Sequence, residues 1–443
     1  MSDTTSTEED LAPKPPKDNY KFVYLTFLCL GMAILLPWNS LIMALDYFEA
    51  NLPGHDINFV VSILSNGPLF ITNLLMIILA PYFPDKITTI VTMLMLCGLT
   101  IALPLFPELI DSLETLWIII FIAIIVISCV NGVMQCCAFG YTASIPGNYI
   151  GPLNTGCAVS GLAVSIARAF SLLIFPTKDD PNDPNYFRGA LVYFILGVLT
   201  LVLGIFMLLY LPYTRYFKSN YFEFHTKRRH SSYDTLEVLD PKNNGTIGVT
   251  EENNNLLEIE EENKSNPNKM ESLSYMFKIH NTLLITGYGL VIIYIQTFCV
   301  FPAVLLEGNI DFISSKAWEV WFIISLYNFA DTVSRFVSEY KVVLTVNTSA
   351  LATLLRCIPI GFAFLSAYDI VFFRHDAFKI INILIIGFTN GYIGNCQMML
   401  SVDKAKAQDK VITSKFMALF LVLGITLGSI VSSFGITKLF DSE

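Results

Sequence analysis

Charge is scarce in this chain: of its 443 residues only 14% are Asp, Glu, Lys or Arg, against 54% hydrophobic. A soluble domain of this length needs more polar surface than that, so the composition excludes a protein that lives in water. No G-x-x-x-x-G-K-[ST] sequence occurs, which disfavours a P-loop ATP-driven pump. The histidines His55, His225, His230, His280 and His375 fall in loops or at helix ends and form no H-E-x-x-H or paired metal set. A membrane metallo-hydrolase is therefore disfavoured, no catalytic set is visible, and neither enzyme activity nor a cofactor is expected. The nine cysteines, the neighbours Cys136 and Cys137 included, all lie in apolar runs rather than in loops where exported disulfides form, and read as small packing residues. The first twenty residues, MSDTTSTEEDLAPKPPKDNY, are polar and acidic and lack the apolar region and cleavage site of a signal peptide, so the first apolar run is expected to be kept as a span.

What the chain has instead is a series of apolar windows of about 20 residues, the length that crosses roughly 30 Å of hydrocarbon. They fall near 21–45, 57–82, 87–106, 115–141, 150–175, 189–212, 279–306, 317–338, 345–367, 379–402 and 413–437. The expectation is an all-α polytopic membrane protein with eleven transmembrane helices in a 6+5 arrangement. With a cytosolic N-terminus, about 18 Lys and Arg fall inside and about 6 outside, as the positive-inside rule requires. The acidic loop PELIDSLE (107–114) then lies outside, as does the C-terminus. Four segments follow: a cytosolic tail (1–20), a six-helix bundle (21–212), a cytosolic loop (213–278) and a five-helix bundle (279–443). The loop's Asn repeats and acidic block, NNGTIGVTEENNNLLEIEEENKSNPN, argue disorder, and Arg228-Arg229-His230-Ser231 resembles a site for a basophilic protein kinase acting on Ser231. Net charge is −10, much of it in this loop; it speaks to solubility, and no nucleic-acid partner is expected. Gly156, Gly161, Gly387, Gly391, Gly394, Gly424 and Gly428 sit where helices could approach closely.

Few polar side chains interrupt the spans. In SLYNFADTVSRF, Asn328, Asp331 and Arg335 stand at i, i+3 and i+7 on one helix stripe, with the carboxylate four residues before the guanidinium as an ion pair prefers. Each charge costs about 3 kcal/mol at a helix centre, so the two together mark a candidate site. The alternative is that Arg335 reaches back to the cytosolic interface. In NGVMQCCAFG, Asn131 and Gln135 share a face; amides offer donors and acceptors, which suits an uncharged ligand with a mixed edge such as a nucleobase, though helix-to-helix bonding is the plainer reading. Asn66, Asn73, Arg168, Gln296, Arg356, Asn390 and Asn395 lie in other spans, Pro68 marks a kink between Asn66 and Asn73, and Pro302 falls in the seventh span. Trp38, beside Asn39, is either an interface tryptophan or a stacking platform for a flat ligand.

These motifs resemble those of the equilibrative nucleoside transporters: Leu36-Pro37-Trp38-Asn39; Gln135 followed by Phe139, Gly140 and Pro146; Phe301-Pro302-Ala303; Asn328-x-x-Asp331-x-x-x-Arg335; and GFTNGYIGN followed by FMALFLVLGITLGSI. The likeness runs in order from about residue 25 to 435, sparing the central loop. It implies an eleven-helix, major-facilitator-like bundle with a central nucleoside cavity; the expected function is facilitative transport by alternating access, with a proton-coupled nucleoside or nucleobase symporter or a non-transporting receptor as the alternatives and the plasma membrane as the default host. Carried over by position, Trp38 and Asn39 line the outer part, Gln135 reads the base, and Asp331 and Arg335 contact the ribose or set the gate. Ile42, Asn131, Arg168, Asn328 and Asn390 are secondary candidates, and Arg168 resembles an arginine of many non-vertebrate members. The chain departs from the family in carrying Ser334 where Gly is frequent and in a first outer loop of only about ten residues.

Overall fold

A computed structural model of the protein describes residues 21–53, 57–145, 149–176, 184–214, 216–217, 283–307, 310–313, 315–368, 370 and 372–432. The expected N-terminal tail, most of the central loop and Ser231 lie outside the described residues. Among the described residues all regular structure is helical. In chain order the helices are α1 (Phe22–Met43), α2 (Leu45–Asn51), α3 (Ile57–Leu79), α4 (Asp85–Ala102), α5 (Phe106–Leu109), α6 (Leu113–Ser144), α7 (Ile150–Ile174) and α8 (Asn185–Tyr210). After the central segment come α9 (Leu284–Val300), α10 (Ala303–Glu307), α11 (Lys316–Tyr340), α12 (Val346–Leu355), α13 (Cys357–Ala367), α14 (Asp376–Lys404) and α15 (Lys410–Val431).

Among the described residues nine helical segments are long and apolar enough to cross a membrane. Two expected spans fall outside that set. In α3 the stretch Ile63–Leu79 is an apolar helix of 17 residues, and α11 carries Lys316, Glu319, Asp331, Arg335 and Glu339 along its 25 residues. The outside of the bundle is apolar: Phe206, Leu203, Leu351 and Leu354 are all more than half exposed. Water would penalise such a surface, whereas hydrocarbon does not.

Several windows resolve into more than one element. The expected span 279–306 breaks after Val300, because Pro302 has no N–H to continue the helical ladder, and α10 restarts at Ala303. The span 345–367 divides at Arg356, three residues before Pro359, which cannot donate to the carbonyl of Leu355. In contrast, α1 and α3 run unbroken through Pro37 and Pro68. Helix α2, too short to register as an apolar window, fills most of the expected outer loop; the Tyr47 hydroxyl bonds to the Pro104 carbonyl at 2.9 Å, and Phe48 packs edge-on to Phe194.

The apolar cores tell how the helices divide. One cluster joins the first half of α1 (Val23, Phe27, Leu30) and the second half of α6 (Met134, Phe139) to Leu290 and Tyr294 of α9 and Phe416, Met417 and Phe420 of α15. At the opposite end of the bundle there are two separate clusters. Leu36 and Leu41 of α1 pack with Phe48, Ile120, Val164 and Phe194, while Val300, Val304, Ile323, Tyr327, Ile360 and Ile386 pack among themselves. Helices before and after the central segment thus share one apolar core at one end and have separate apolar cores at the other, where Trp321 of α11 still donates to the Ser165 carbonyl of α7 at 2.7 Å. Glycines permit the tight seams: a Cβ on Gly156 would collide with the carbonyl oxygen of Leu28 in α1, and one on Gly391 with Ser334 and the Asp331 carbonyl in α11. Gly394 departs from the expectation, since a Cβ there meets nothing nearer than 3.9 Å.

Candidate functional site

Between the two separate clusters lies a cavity of about 1130 Å³, lined from α1, α3, α6, α7, α9, α11, α14 and α15, with single residues or pairs also from α2, α4, α8 and α10. Trp38, Asn39, Gln135, Asp331 and Arg335 all line it, and so do Ile42, Asn131, Arg168, Asn328 and Asn390. Residues far apart in sequence are therefore brought to one space.

The α11 stripe supplies its charged floor. Asp331 Oδ2 accepts from Arg335 Nε at 3.0 Å, and Oδ1 from Arg335 Nη2 at 3.5 Å and Asn390 Nδ2 at 2.8 Å. Arg335 also donates to the Asn154 carbonyl at 3.0 Å and to the Tyr294 hydroxyl at 3.4 Å. Asn390 in turn accepts from Thr297 at 2.7 Å. The side chains of Arg335 and Asp331 are only 7% and 8% exposed, so the arginine is directed to buried partners and does not reach for the bundle surface. Its bonds tie α11 to α7 and α9, and Asp331 ties it to α14. Charge-assisted bonds of this kind are the strong ones, and a pair satisfied on several sides holds its helices in one arrangement.

Other predicted residues are partly occupied by the protein. Asn39 donates to Ser160 at 2.7 Å, Asn328 to Ser165 at 3.1 Å, and Arg168 to the Tyr193 hydroxyl at 2.6 Å, with its guanidinium 5.8 Å from the centre of that ring. Asn66 reaches the cavity while donating to Ser429 at 3.1 Å. By contrast Asn73, Gln296, Arg356 and Asn395 line no part of the cavity; they bond to Leu69, Thr353, Ile293 and Ser338 and so serve packing.

Some hydrogen-bonding capacity around the cavity is left open. Among the described residues, Asn131 Oδ1 and Gln135 Oε1 are buried without a partner, and so are Oδ1 and Nδ2 of Asn154 and Oγ of Ser65. All four residues line the cavity. Buried polar atoms left bare cost about 1–3 kcal/mol each, so those around the cavity are groups that a polar molecule can complete. Trp38, Phe139, Phe298, Phe301 and Tyr294 supply apolar and aromatic wall between them. A few fixed amides in an aromatic lining suit a neutral, flat, amphipathic ligand. Asn154 and Ser65 escape a reading of the sequence because neither belongs to a charged or paired-amide stripe at helical spacing.

The far end of the bundle is closed by polar bridges beneath the shared core. Glu339 of α11 accepts from Tyr24 of α1 at 2.9 Å and from Thr155 of α7. Lys415 of α15 pairs with Asp85 of α4 at 2.6 Å, and Ser414 donates to the Phe139 carbonyl at 2.9 Å. Each bridge joins a helix before the central segment to one after it.

Comparison with known proteins bears on this architecture. The profile of the family described as nucleoside transporter matches residues 121–436. The chain is similar to equilibrative nucleoside transporter 2 of Mus musculus, 24% identical over 462 residues covering 94% of this chain and 97% of the relative. It is likewise 24% identical over 465 residues to equilibrative nucleoside transporter 2 of Homo sapiens, with the same coverage of 94% and 97%. Among solved structures, the major facilitator superfamily transporter FucP in its outward conformation superposes with a TM-score of 0.59 at 12% identity, covering 96% of this chain and 98% of that one, which marks a shared fold.

Proposed function

The chain belongs to the nucleoside transporter family, a family of multi-pass membrane proteins that are carriers rather than enzymes, and on that premise we propose that it moves nucleosides down their gradient by alternating access. The observation that supports this most is the cavity itself: the bare amide oxygens of Asn131 and Gln135 and the bare amide of Asn154 in an aromatic wall, at the interface of helices before and after the central segment. In this reading the chain crosses the plasma membrane eleven times, six spans before the central loop and five after, with the N-terminus cytosolic and the C-terminus outside. The clusters that part then lie toward the outside, and the shared core with the Asp85–Lys415 and Glu339 bridges closes the cytosolic end.

Trp38 offers its face to the base, and Asn39 and Ile42 complete that outer wall. Gln135 bonds the base edge, with Asn131 beside it. Asn328 and Arg168, held to Ser165 and Tyr193, shape the rim. The Asp331–Arg335 pair, held by Asn390, joins α11 to α7 and so sets the gate. Transport exchanges one closure for the other: the cytosolic bridges separate while the outer halves of α1, α7 and α11 close over the ligand. A neutral ligand needs no driving ion for this exchange.

Uptake of radiolabelled uridine, adenosine and hypoxanthine into cells lacking endogenous carriers tests the reading. Saturable uptake of the two nucleosides is expected. Binding without flux would instead indicate a receptor.

A further inference from the structure

We propose that the side-chain amide of Asn154 is the group that recognises the ribose hydroxyls, a specificity role that rests on the nucleoside-carrier reading. The sugar end of a nucleoside presents vicinal hydroxyls, each both donor and acceptor. A carboxamide answers that pattern with its own donor and acceptor on adjacent atoms.

Three observations select Asn154. First, among the described residues it is the one cavity residue whose side-chain oxygen and nitrogen are both buried and both without a partner in the protein. Asn131 and Gln135 each leave one atom in that state, and Asn39, Asn66, Asn328 and Asn390 each donate to a neighbouring side chain. Asn154 is itself 1% exposed, so water reaches its amide neither from the surface nor from the cavity, and a ligand meets it once the helices move in the transport cycle. Second, the groups that the resemblance suggests for the ribose are already engaged. Arg335 makes four hydrogen bonds within the protein, and Asp331 accepts from Arg335 and Asn390. Third, the Asn154 backbone carbonyl accepts from Arg335 Nη1 at 3.0 Å, which fixes this turn of α7 against the ion pair. The pair therefore acts as a clamp on the residue that carries the free amide. A division of labour follows: Trp38 and Gln135 face the base, and Asn154, next to the clamp, faces the sugar.

A site built to hydrogen-bond hydroxyls rejects the analogue lacking them, because its own polar atoms are then left bare. Half-saturation constants for uridine and 2′,3′-dideoxyuridine, measured in wild type and in Asn154→Leu with uptake normalised to surface protein, test this. Wild type is expected to favour uridine. In Asn154→Leu the constant for uridine should rise by about tenfold, while that for the dideoxynucleoside moves less than about twofold. The two substrates then converge. Asn154→Ala, which removes the amide without adding bulk, should converge in the same way and serves if the leucine variant fails to reach the surface. Equal losses for both substrates, unaltered uridine affinity in the variants, or a wild type that does not distinguish the two would each overturn the assignment. A wild type that takes up no nucleoside would remove the parent reading as well, whereas active variants with wild-type selectivity would remove this one alone.

Discussion

Replacing Arg335 by Ala strips the Asp331 carboxylate of its cation. Asp331, with a side chain 8% exposed, keeps Asn390 Nδ2 at 2.8 Å as its remaining hydrogen-bond donor. Breaking a buried pair from one side costs about 3–5 kcal/mol, because the surviving charge loses its partner without regaining water. At about 1.4 kcal/mol per decade this amounts to a factor of about one hundred to a few thousand in any equilibrium that needs the native arrangement. Asp331→Asn is the converse, leaving Arg335 with the Asn154 carbonyl and the Tyr294 hydroxyl. Both single variants should show a lowered unfolding temperature in detergent and uptake below a few per cent of wild type.

The double variant Asp331→Leu with Arg335→Met separates stability from function. Apolar replacement of a whole buried pair is often neutral or stabilising, so its unfolding temperature should return to near that of wild type. Uptake should not return, since the bonds from α11 to α7 and α9 are gone. Thermal unfolding followed by size-exclusion chromatography, beside uptake normalised to surface protein, reads both. Full transport by the double variant would reduce the pair to packing electrostatics, and wild-type uptake in either single variant would refute the energetic reasoning outright.

Three further outcomes are expected. Trp38→Ala should weaken all nucleosides by about 1–3 kcal/mol, the range for stacking of bases on aromatic side chains, whereas Gln135→Leu should weaken purines and pyrimidines unequally; equal losses with Gln135→Leu would favour a packing role. Asp85→Lys and Lys415→Asp, each alone, bury like charges at the closed end and should slow uptake severalfold, and the exchanged pair should recover most of it if the 2.6 Å bridge is the closure; an exchanged pair as impaired as the single variants would count against that. Gly156→Ala drives a Cβ into the backbone carbonyl of Leu28 and should lower the unfolding temperature clearly, while Gly394→Ala, with nothing nearer than 3.9 Å, should leave it within a few degrees; equal effects would show that the α1–α7 seam yields to a methyl group.

The α11 stripe is legible in the sequence because polar residues at i, i+3 and i+7 fall on one face of a helix, and two charges in an apolar run are retained only where a partner or a ligand offsets their cost. The helix positions are legible for a similar reason, since hydrocarbon thickness fixes the window length. The breaks are not. Pro302 ends α9 while Pro37 and Pro68 pass inside α1 and α3, so the presence of a proline alone does not decide where a helix ends. The seven residues of α2 are too few for an apolar window, and their stability comes from Tyr47 and Phe48 docking on other helices. Asn154 belongs to no stripe in its span, so its importance emerges only once Arg335, 181 residues away, is seen bonded to its carbonyl. The closing bridges join residues 330, 315 and 184 positions apart, a separation at which no local pattern survives.

The central claim is facilitative transport through one alternating cavity, and purified protein in liposomes tests it most directly. Vesicles preloaded with unlabelled uridine should draw in labelled uridine in a transient overshoot, the mark of a carrier whose single site is exposed to one side at a time. Without preloading, the labelled nucleoside should settle at equal concentrations inside and out, with or without an inward proton gradient. Steady accumulation several times above the outside concentration, driven by that gradient and abolished by a protonophore, would contradict the account.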